Sequence, residues 1–248
     1  MSTRPKKIIA IFLFCLFLAP LALAADLTLE ALMEKSQANQ DRIKDLFVET
    51  ETTMVSNMSL PGQASKGPQK MVQTGRMWTK GSDKAKIELL SPTKQTTIRN
   101  GEKMLIIYPE TGQKMVQDLS KIKGQGAGFK GQENMNLEKA MEYFDLSVKH
   151  VGDNYIVTGI PKEENKFMSK MEFYLEAKSW LPTKILMYGA NGKLLSQSMI
   201  EYETISDVPV PVKNVSSVST PMGTMNIEMV YKNVKVNQGI KDSVFKIE

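Results

Sequence analysis

Beyond residue 47, apolar and polar residues alternate in short segments, and this pattern predicts a fold made mainly of β-strands. Met171, Phe173 and Leu175, for example, are separated by more polar residues. Turn sequences such as Asn100-Gly101 divide the segments, because Asn and Gly tolerate the positive φ angles of tight hairpins. We count about eleven strands joined by short turns. The predicted fold class is mainly β with a small α content (α+β), built on an antiparallel sheet that curves or closes.

Two segments have helical periodicity instead. Residues 27–46 form the first predicted helix. Thr28 is a good N-cap for it, and Glu30 lies in its first turn, where the helix dipole favours an acid. Residues 137–144 form a shorter candidate. Because one side of an antiparallel sheet can face water and the other must be covered, we expect both helices on the concave side. The glycine-rich residues 123–131 lack a following Gly-Lys-Ser/Thr, so we interpret them as a mobile lid or a connector and not as a phosphate loop.

The N-terminus has the three-part pattern of a secretory signal peptide over residues 1–24. Three basic residues, Arg4, Lys6 and Lys7, precede an unbroken apolar run, 8–18, and small residues follow at Ala22 and Ala24. The run is short for a membrane-spanning helix, which needs about 20 apolar residues. We therefore expect cleavage after Ala24 or Ala25 and a mature protein that works in the periplasm, with no stable membrane insertion.

Composition excludes several classes of function for the mature chain. The single cysteine, Cys15, lies inside the signal, so residues 25–248 form no disulfide. Lipidation at Cys15 is the alternative, but Phe14 stands where a lipoprotein signal has a small residue. The signal contributes +3 to a net charge of +5, which leaves +2 for the mature part. That small charge does not indicate nucleic-acid binding, which needs a concentrated basic stripe.

Residues typical of catalysis are scarce, and we expect no enzyme activity. His150 is the only histidine, so a histidine-based zinc site has no second ligand of that type. No Gly-x-Ser-x-Gly elbow accompanies it, and we interpret His150 as a strand or surface residue. A carboxylate pair for glycoside hydrolysis stays open, although no pair stands out. We expect no cofactor and no metal.

Methionine is unusually frequent, with 17 residues in the chain. Its flexible, polarizable side chain suits surfaces that accept variable apolar partners. Two interpretations remain open. The methionines fill an ordinary core, or they line a cavity for acyl chains on a curved sheet.

Several short motifs follow one another in a fixed order: Gly75-Arg76-Met77-Trp78, Ile87 to Pro92, Asn100 to Pro109, Phe173-Tyr174-Leu175, Leu181 to Lys184, Asn191-Gly192, Ile200-Glu201-Tyr202 and Asp242 to Phe245. In this order and spacing they resemble the LolA-like outer-membrane lipoprotein-sorting proteins. The resemblance covers nearly the whole mature chain, residues 25–248, as one domain.

The resemblance implies an open half-barrel whose concave apolar face is covered by helices. It also implies a monomeric periplasmic carrier that shields lipoprotein acyl chains or lipid between the membranes, with an inner-membrane exporter as a further candidate partner. The alternative, also found among the relatives, is a sensor or assembly module that binds a protein partner or serves a lipid exporter. This chain has Lys80-Gly81-Ser82 where the dedicated carrier has a Lys-Arg-Pro run, which leaves open whether it is that carrier or a paralogue.

We predict that Met77, Ile87, Leu89, Leu105 and Ile107 line the ligand cavity. The last four occupy alternate positions on two predicted strands, so each pair shares a face. They also match positions that carry apolar or aromatic side chains in the LolA-like family. The alternative is that they pack under the helices and leave no space for a ligand.

Overall fold

The computed structural model describes residues 27–58, 67–121 and 141–247, and thirteen strands in this part of the chain form one sheet. The strands are β1 Asp45–Ser56, β2 Gln69–Lys80, β3 Lys84–Ser91, β4 Gln95–Asn100, β5 Lys103–Tyr108, β6 Gln113–Asp118, β7 Phe144–Val151, β8 Asn154–Pro161, β9 Lys170–Glu176, β10 Pro182–Tyr188, β11 Leu194–Ile205, β12 Val208–Thr220 and β13 Gly223–Val236. The helices are α1 Leu29–Asp41 and two short 3₁₀ helices, Leu119–Lys121 and Asp242–Phe245.

Every neighbouring pair of strands is antiparallel, in the order β6-β5-β4-β3-β2-β1-β13-β12-β11-β10-β9-β8-β7. Only the β1–β13 pair joins strands that are distant in sequence; it places the first and last strands at the centre and leaves β6 and β7 at the edges. The sheet is curved and open, which confirms the predicted fold class. The expected count of eleven strands is too low, because each alternating segment forms a strand of its own.

The two faces of the sheet differ sharply in chemistry. Residues directly opposite each other in antiparallel strands point to the same face, so the pairing assigns each side chain to one side. Met54 pairs with Met71 on one side and Ile227 on the other, and we call the face that they share the methionine face. Glu49 and Arg76 pair on the opposite side of the sheet, which we call the charged face.

Helix α1 covers one corner of the methionine face. Thr28 caps it as predicted, because its Oγ1 accepts a hydrogen bond from Ala31 N at 3.3 Å. Leu32 is fully buried against Val157 and Leu175 of β8 and β9. The expected helix over residues 27–46 is too long, since the chain turns after Asp41 and enters β1.

The Asn237 side chain fixes that turn by bonding to the main chain of the connection that follows α1. Its amide group donates to the Arg42 carbonyl at 2.9 Å, and its oxygen accepts from Lys44 N at 2.8 Å. Of the second expected helix, 137–144, residues 137–140 lie outside the described part, residues 141–143 are helical and Phe144 begins β7.

The glycine-rich residues 123–131 and the predicted signal peptide, 1–24, also lie outside the described residues. Among the residues that are described, no helix combines the length and apolar character needed to cross a membrane.

The last described segment, residues 237–247, covers part of the charged face, and we call it the C-terminal segment. Phe245 has no exposed surface and packs on Ile98 of β4 and Leu105 of β5. Trp78 of β2 lies against the same cluster and makes a tilted ring contact with Phe47 at 5.2 Å between centroids. Sheet and segment thus enclose a core on the face opposite to α1.

Gly75 in β2 provides a test of this packing. A methyl group on Gly75 would lie 2.6 Å from the Glu88 carbonyl oxygen, so the backbone of β3 would have to shift. We expect Gly75→Ala to lower the free energy of unfolding by about 1–3 kcal/mol, measured by urea denaturation. Gly159→Ala is the matched control with a smaller expected loss, because its new methyl group would meet the movable end of the Leu146 side chain at 3.2 Å. Equal losses for the two variants would contradict this account.

Candidate functional site

The structure separates the five residues predicted to line a cavity. Met77 pairs with Ile87 on the methionine face, and Leu89, two residues further along β3, lies on that face as well. Leu105 and Ile107 lie on the charged face, where they belong to the cluster around Phe245. The five residues predicted to line the cavity therefore do not lie on one face of the sheet.

The physical reason lies in the register between β3 and β5. Alternation shows that Leu105 and Ile107 share a face, but the face is set by the turns on either side of β4. Ile87 pairs with Thr97, and Thr97 pairs with Ile106. Ile106 therefore lies on the methionine face, as Met104 does, while Leu105 and Ile107 lie on the other side of β5. A slip of one residue in register would exchange the two sides of the strand.

Methionine is concentrated on one face. The described strands contain ten methionines, and the pairing places nine of them on the methionine face; Met199 lies on the other. The nine are Met54, Met71, Met77, Met104, Met115, Met171, Met187, Met225 and Met229. None of them is fully buried. Met77 packs against the buried cluster of Val48 and Val210, and Met71 and Met115 are exposed. The methionines therefore form a flexible, partly exposed layer on this face.

Charge is almost absent from this lining. Of the strand side chains that the pairing assigns to the methionine face, one is charged, Arg99 at the end of β4. The opposite face carries ion pairs such as Lys232 with Glu51 at 2.7 Å and Lys86 with Glu88 at 2.8 Å. An antiparallel sheet with one ionic face and one apolar face is expected to bury the apolar side, either on its own chain or on a ligand.

The methionine face has small side chains on β11 and β12, where the surface rises less above the backbone than it does at the methionines. Ser198 of β11 and Ser216 of β12 face each other with their hydroxyl oxygens 2.6 Å apart, and the Ser216 hydroxyl donates to Asn214 Oδ1 at 2.9 Å. Since these polar groups bond to one another, they do not require water, and an apolar molecule can lie over them. The serines form a shallow floor between the methionines of β10 and β13.

Two tyrosines near this floor, Tyr202 of β11 and Tyr231 of β13, stay neutral. Burial raises the pKa of Tyr202 to about 12, and burial also raises the pKa of Tyr231. The Tyr202 hydroxyl donates to the Pro182 carbonyl at 3.0 Å. Both side chains therefore contribute area without charge at any pH near neutrality.

Sequence reasoning recognised the methionines as unusual but did not place them together. The signal was present within strands: Met225, Ile227 and Met229 alternate with Asn226 and Glu228 in β13. Alternation identifies which residues of one strand share a face. It does not connect the faces of thirteen strands, because every turn and bulge has to be known first.

Comparison with solved structures identifies the architecture. A LolA superfamily protein from Nitrosomonas europaea matches 89% of this chain and 98% of its own, with a TM-score of 0.55 and 14% identity. A DUF1329 family protein from Desulfovibrio piger matches 88% of this chain and 96% of its own, with a TM-score of 0.58 and 14% identity. A protein from Vibrio parahaemolyticus, described as an outer membrane lipoprotein-sorting protein domain, matches 86% and 95%, with a TM-score of 0.56 and 13% identity.

The chain has the LolA fold. The resemblance expected from the order of the sequence motifs is therefore confirmed at the level of fold, and the LolA half-barrel accounts for the curved, open sheet. No family model and no curated protein sequence matches the chain.

Proposed function

We propose that this protein is a non-catalytic periplasmic carrier that binds acyl chains of lipids or lipoproteins on its methionine face and shields them during transfer toward the outer membrane. The observation that carries the proposal is the segregation of nine methionines onto a face with one charged strand residue. The solved structures with this fold include one described as an outer membrane lipoprotein-sorting protein domain, which supports the same class of ligand.

The physical chemistry of the face fits acyl chains. Transfer of a chain from water to an apolar surface contributes about 0.8 kcal/mol per buried methylene, without any directional contact. Unbranched methionine side chains adapt to chains of different length and position. The Ser198 and Ser216 hydroxyls on the floor bond to each other and to Asn214, so their donors are used within the protein. The N-terminal pattern of a signal peptide supports a location in the periplasm.

Two methionines of equal exposure provide the test. Met71 on the methionine face and Met199 on the charged face are each 45% exposed, and both lie within strands. We expect Met71→Glu to weaken retention of a fluorescent fatty-acyl probe by tenfold or more, on the order of 1.4 kcal/mol or above, because a charge beside the chain loses hydration. Met199→Glu should leave retention unchanged.

The measurement is titration of the probe against each purified variant, with circular dichroism and urea denaturation to show that both are folded. Retention that falls equally in the two variants, or in neither, would contradict the assignment of the ligand to this face. Native mass spectrometry of protein purified from the periplasm identifies the natural ligand. A peptide in place of lipid in those spectra would favour the partner-binding alternative.

A further inference from the structure

Exposed apolar side chains gather at one end of the sheet. In an antiparallel sheet the turns lie at two ends, and the end where β1 finishes also carries the β3–β4, β5–β6, β8–β9, β10–β11 and β12–β13 connections and the start of β7. We call this end the rim. It comprises these connections, the described residues between β1 and β2 (57–58 and 67–68), residues 141–143 before β7, and the three strand residues next to each.

Ten of the fourteen large hydrophobic side chains that are exposed in the described residues belong to the rim. They are Met58, Met71, Leu90, Met115, Met141, Tyr143, Ile160, Phe167, Leu194 and Met222. Val151 alone lies at the opposite end; Val72, Val116 and Met199 lie in the middle of strands. Exposed apolar groups that gather in one region mark an interaction surface.

The rim is not an extension of the core. Leu46, Val48 and Val236 are buried near the opposite end of the central strands, and Ile98 with Leu105 is buried near the same opposite end of β4 and β5. On both faces of the sheet, buried packing therefore lies toward the end opposite to the rim. At the other end the apolar side chains meet solvent.

The β8–β9 connection shows how the rim presents an apolar group. The side-chain oxygen of Asn165 accepts hydrogen bonds from Phe167 N at 2.9 Å and Met168 N at 3.2 Å, which fixes the local backbone. Phe167 follows this turn and is 83% exposed, the highest value among these apolar residues. The turn holds a large aromatic ring in water. Transfer of this ring to an apolar medium is favourable, because its apolar surface is then removed from water.

Lysine precedes four of the ten exposed residues directly. The pairs are Lys70-Met71, Lys114-Met115, Lys166-Phe167 and Lys193-Leu194, on four separate strands or turns. An apolar side chain beside a lysine suits a membrane interface, because the apolar group enters the acyl region while the long lysine stem places its ammonium among the phosphates. The pairs are spread along the rim from β6 at one edge of the sheet to the β8–β9 connection near the other edge.

We infer that the rim docks the protein on the surface of a bilayer that contains anionic lipid. This inference rests on the proposed carrier function and adds the route by which the ligand reaches the methionine face: the open end of the half-barrel meets the membrane, and an acyl chain passes between them without crossing water.

The test measures co-sedimentation of the full mature chain with vesicles of phosphatidylethanolamine and phosphatidylglycerol. Phe167→Ser combined with Leu194→Ser should weaken binding about tenfold or more, since most of the apolar contact of those two turns is lost. Lys166→Gln should weaken binding to these vesicles about fivefold, and it should change binding to neutral phosphatidylcholine vesicles little. Val151→Ser and Lys103→Gln, at the opposite end, are the matched controls and should bind like the unaltered protein.

Retention of a soluble fatty-acyl probe without vesicles separates this inference from the proposed function. We expect the Phe167 and Leu194 variant to retain the probe normally while it fails to bind vesicles. Absence of vesicle binding by the unaltered protein would overturn the rim assignment, even if probe retention is intact. Equal losses for the Val151 and Phe167 variants would overturn it as well.

Discussion

Phe245→Ala is expected to destabilise the protein by about 3–5 kcal/mol, the range measured when a buried aromatic ring is removed from a core. Phe245 has no exposed surface, and its ring fills the space between the C-terminal segment and two strands of the charged face. Neither β4 nor β5 can collapse into the gap without breaking its ladder with neighbouring strands. Urea denaturation should show a lower midpoint with an unchanged slope.

Two comparisons make this result specific. Ser243→Ala changes an exposed position two residues away and should leave the midpoint within the error of measurement. Retention of an acyl probe by the Phe245 variant should be normal below its unfolding transition, because Phe245 packs on the face opposite to the methionines. A loss of probe binding without loss of stability would contradict the separation of the two faces.

Local pattern was sufficient to predict where the alternating segments form strands, although the expected count of eleven is two below the thirteen described. Each alternating segment forms a strand, and the predicted turn between Asn100 and Lys103 is a two-residue connection in which Gly101 has a φ of 60°. The information is local in both cases, since alternation and turn chemistry depend on neighbouring residues. The N-cap at Thr28 was predictable for the same reason.

Relations between strands were not predictable in the same way. The alternation of Leu105 and Ile107 was correct, but their face depends on the register of three strands, and one residue of slip reverses it. The C-terminal segment shows a related limit. This segment is held on the charged face by Phe245 and by hydrogen bonds from its backbone N–H groups to the Asp45 side chain. Neither feature produces the periodicity by which a helix or strand is recognised in a sequence.

Asp45 holds the start of that C-terminal segment, and its replacement is the second large effect that we expect. Asp45 is the first residue of β1 and is only 5% exposed. One carboxylate oxygen accepts from Gln238 N at 2.8 Å, and the other accepts from Gly239 N at 2.9 Å and Ile240 N at 3.3 Å. Three successive backbone donors therefore converge on one carboxylate, which fixes the path of the chain as it leaves β13.

Asp45→Ala removes both acceptor oxygens and leaves the three backbone donors without this partner in a partly buried turn. Hydrogen bonds to a charged group contribute about 1.5–3 kcal/mol each, so we expect a loss of at least about 3 kcal/mol in urea denaturation. Asp242→Ala is the control: this carboxylate pairs with Lys80 and Lys84 at 2.9 and 3.1 Å but is largely exposed, and its removal should change stability far less. Hydrogen exchange should locate the Asp45 effect, with faster exchange at Gln238, Gly239 and Ile240 than in β7–β9. Exchange that rises uniformly across the sheet, or a loss no larger than that of Asp242→Ala, would show that the carboxylate does not anchor the segment.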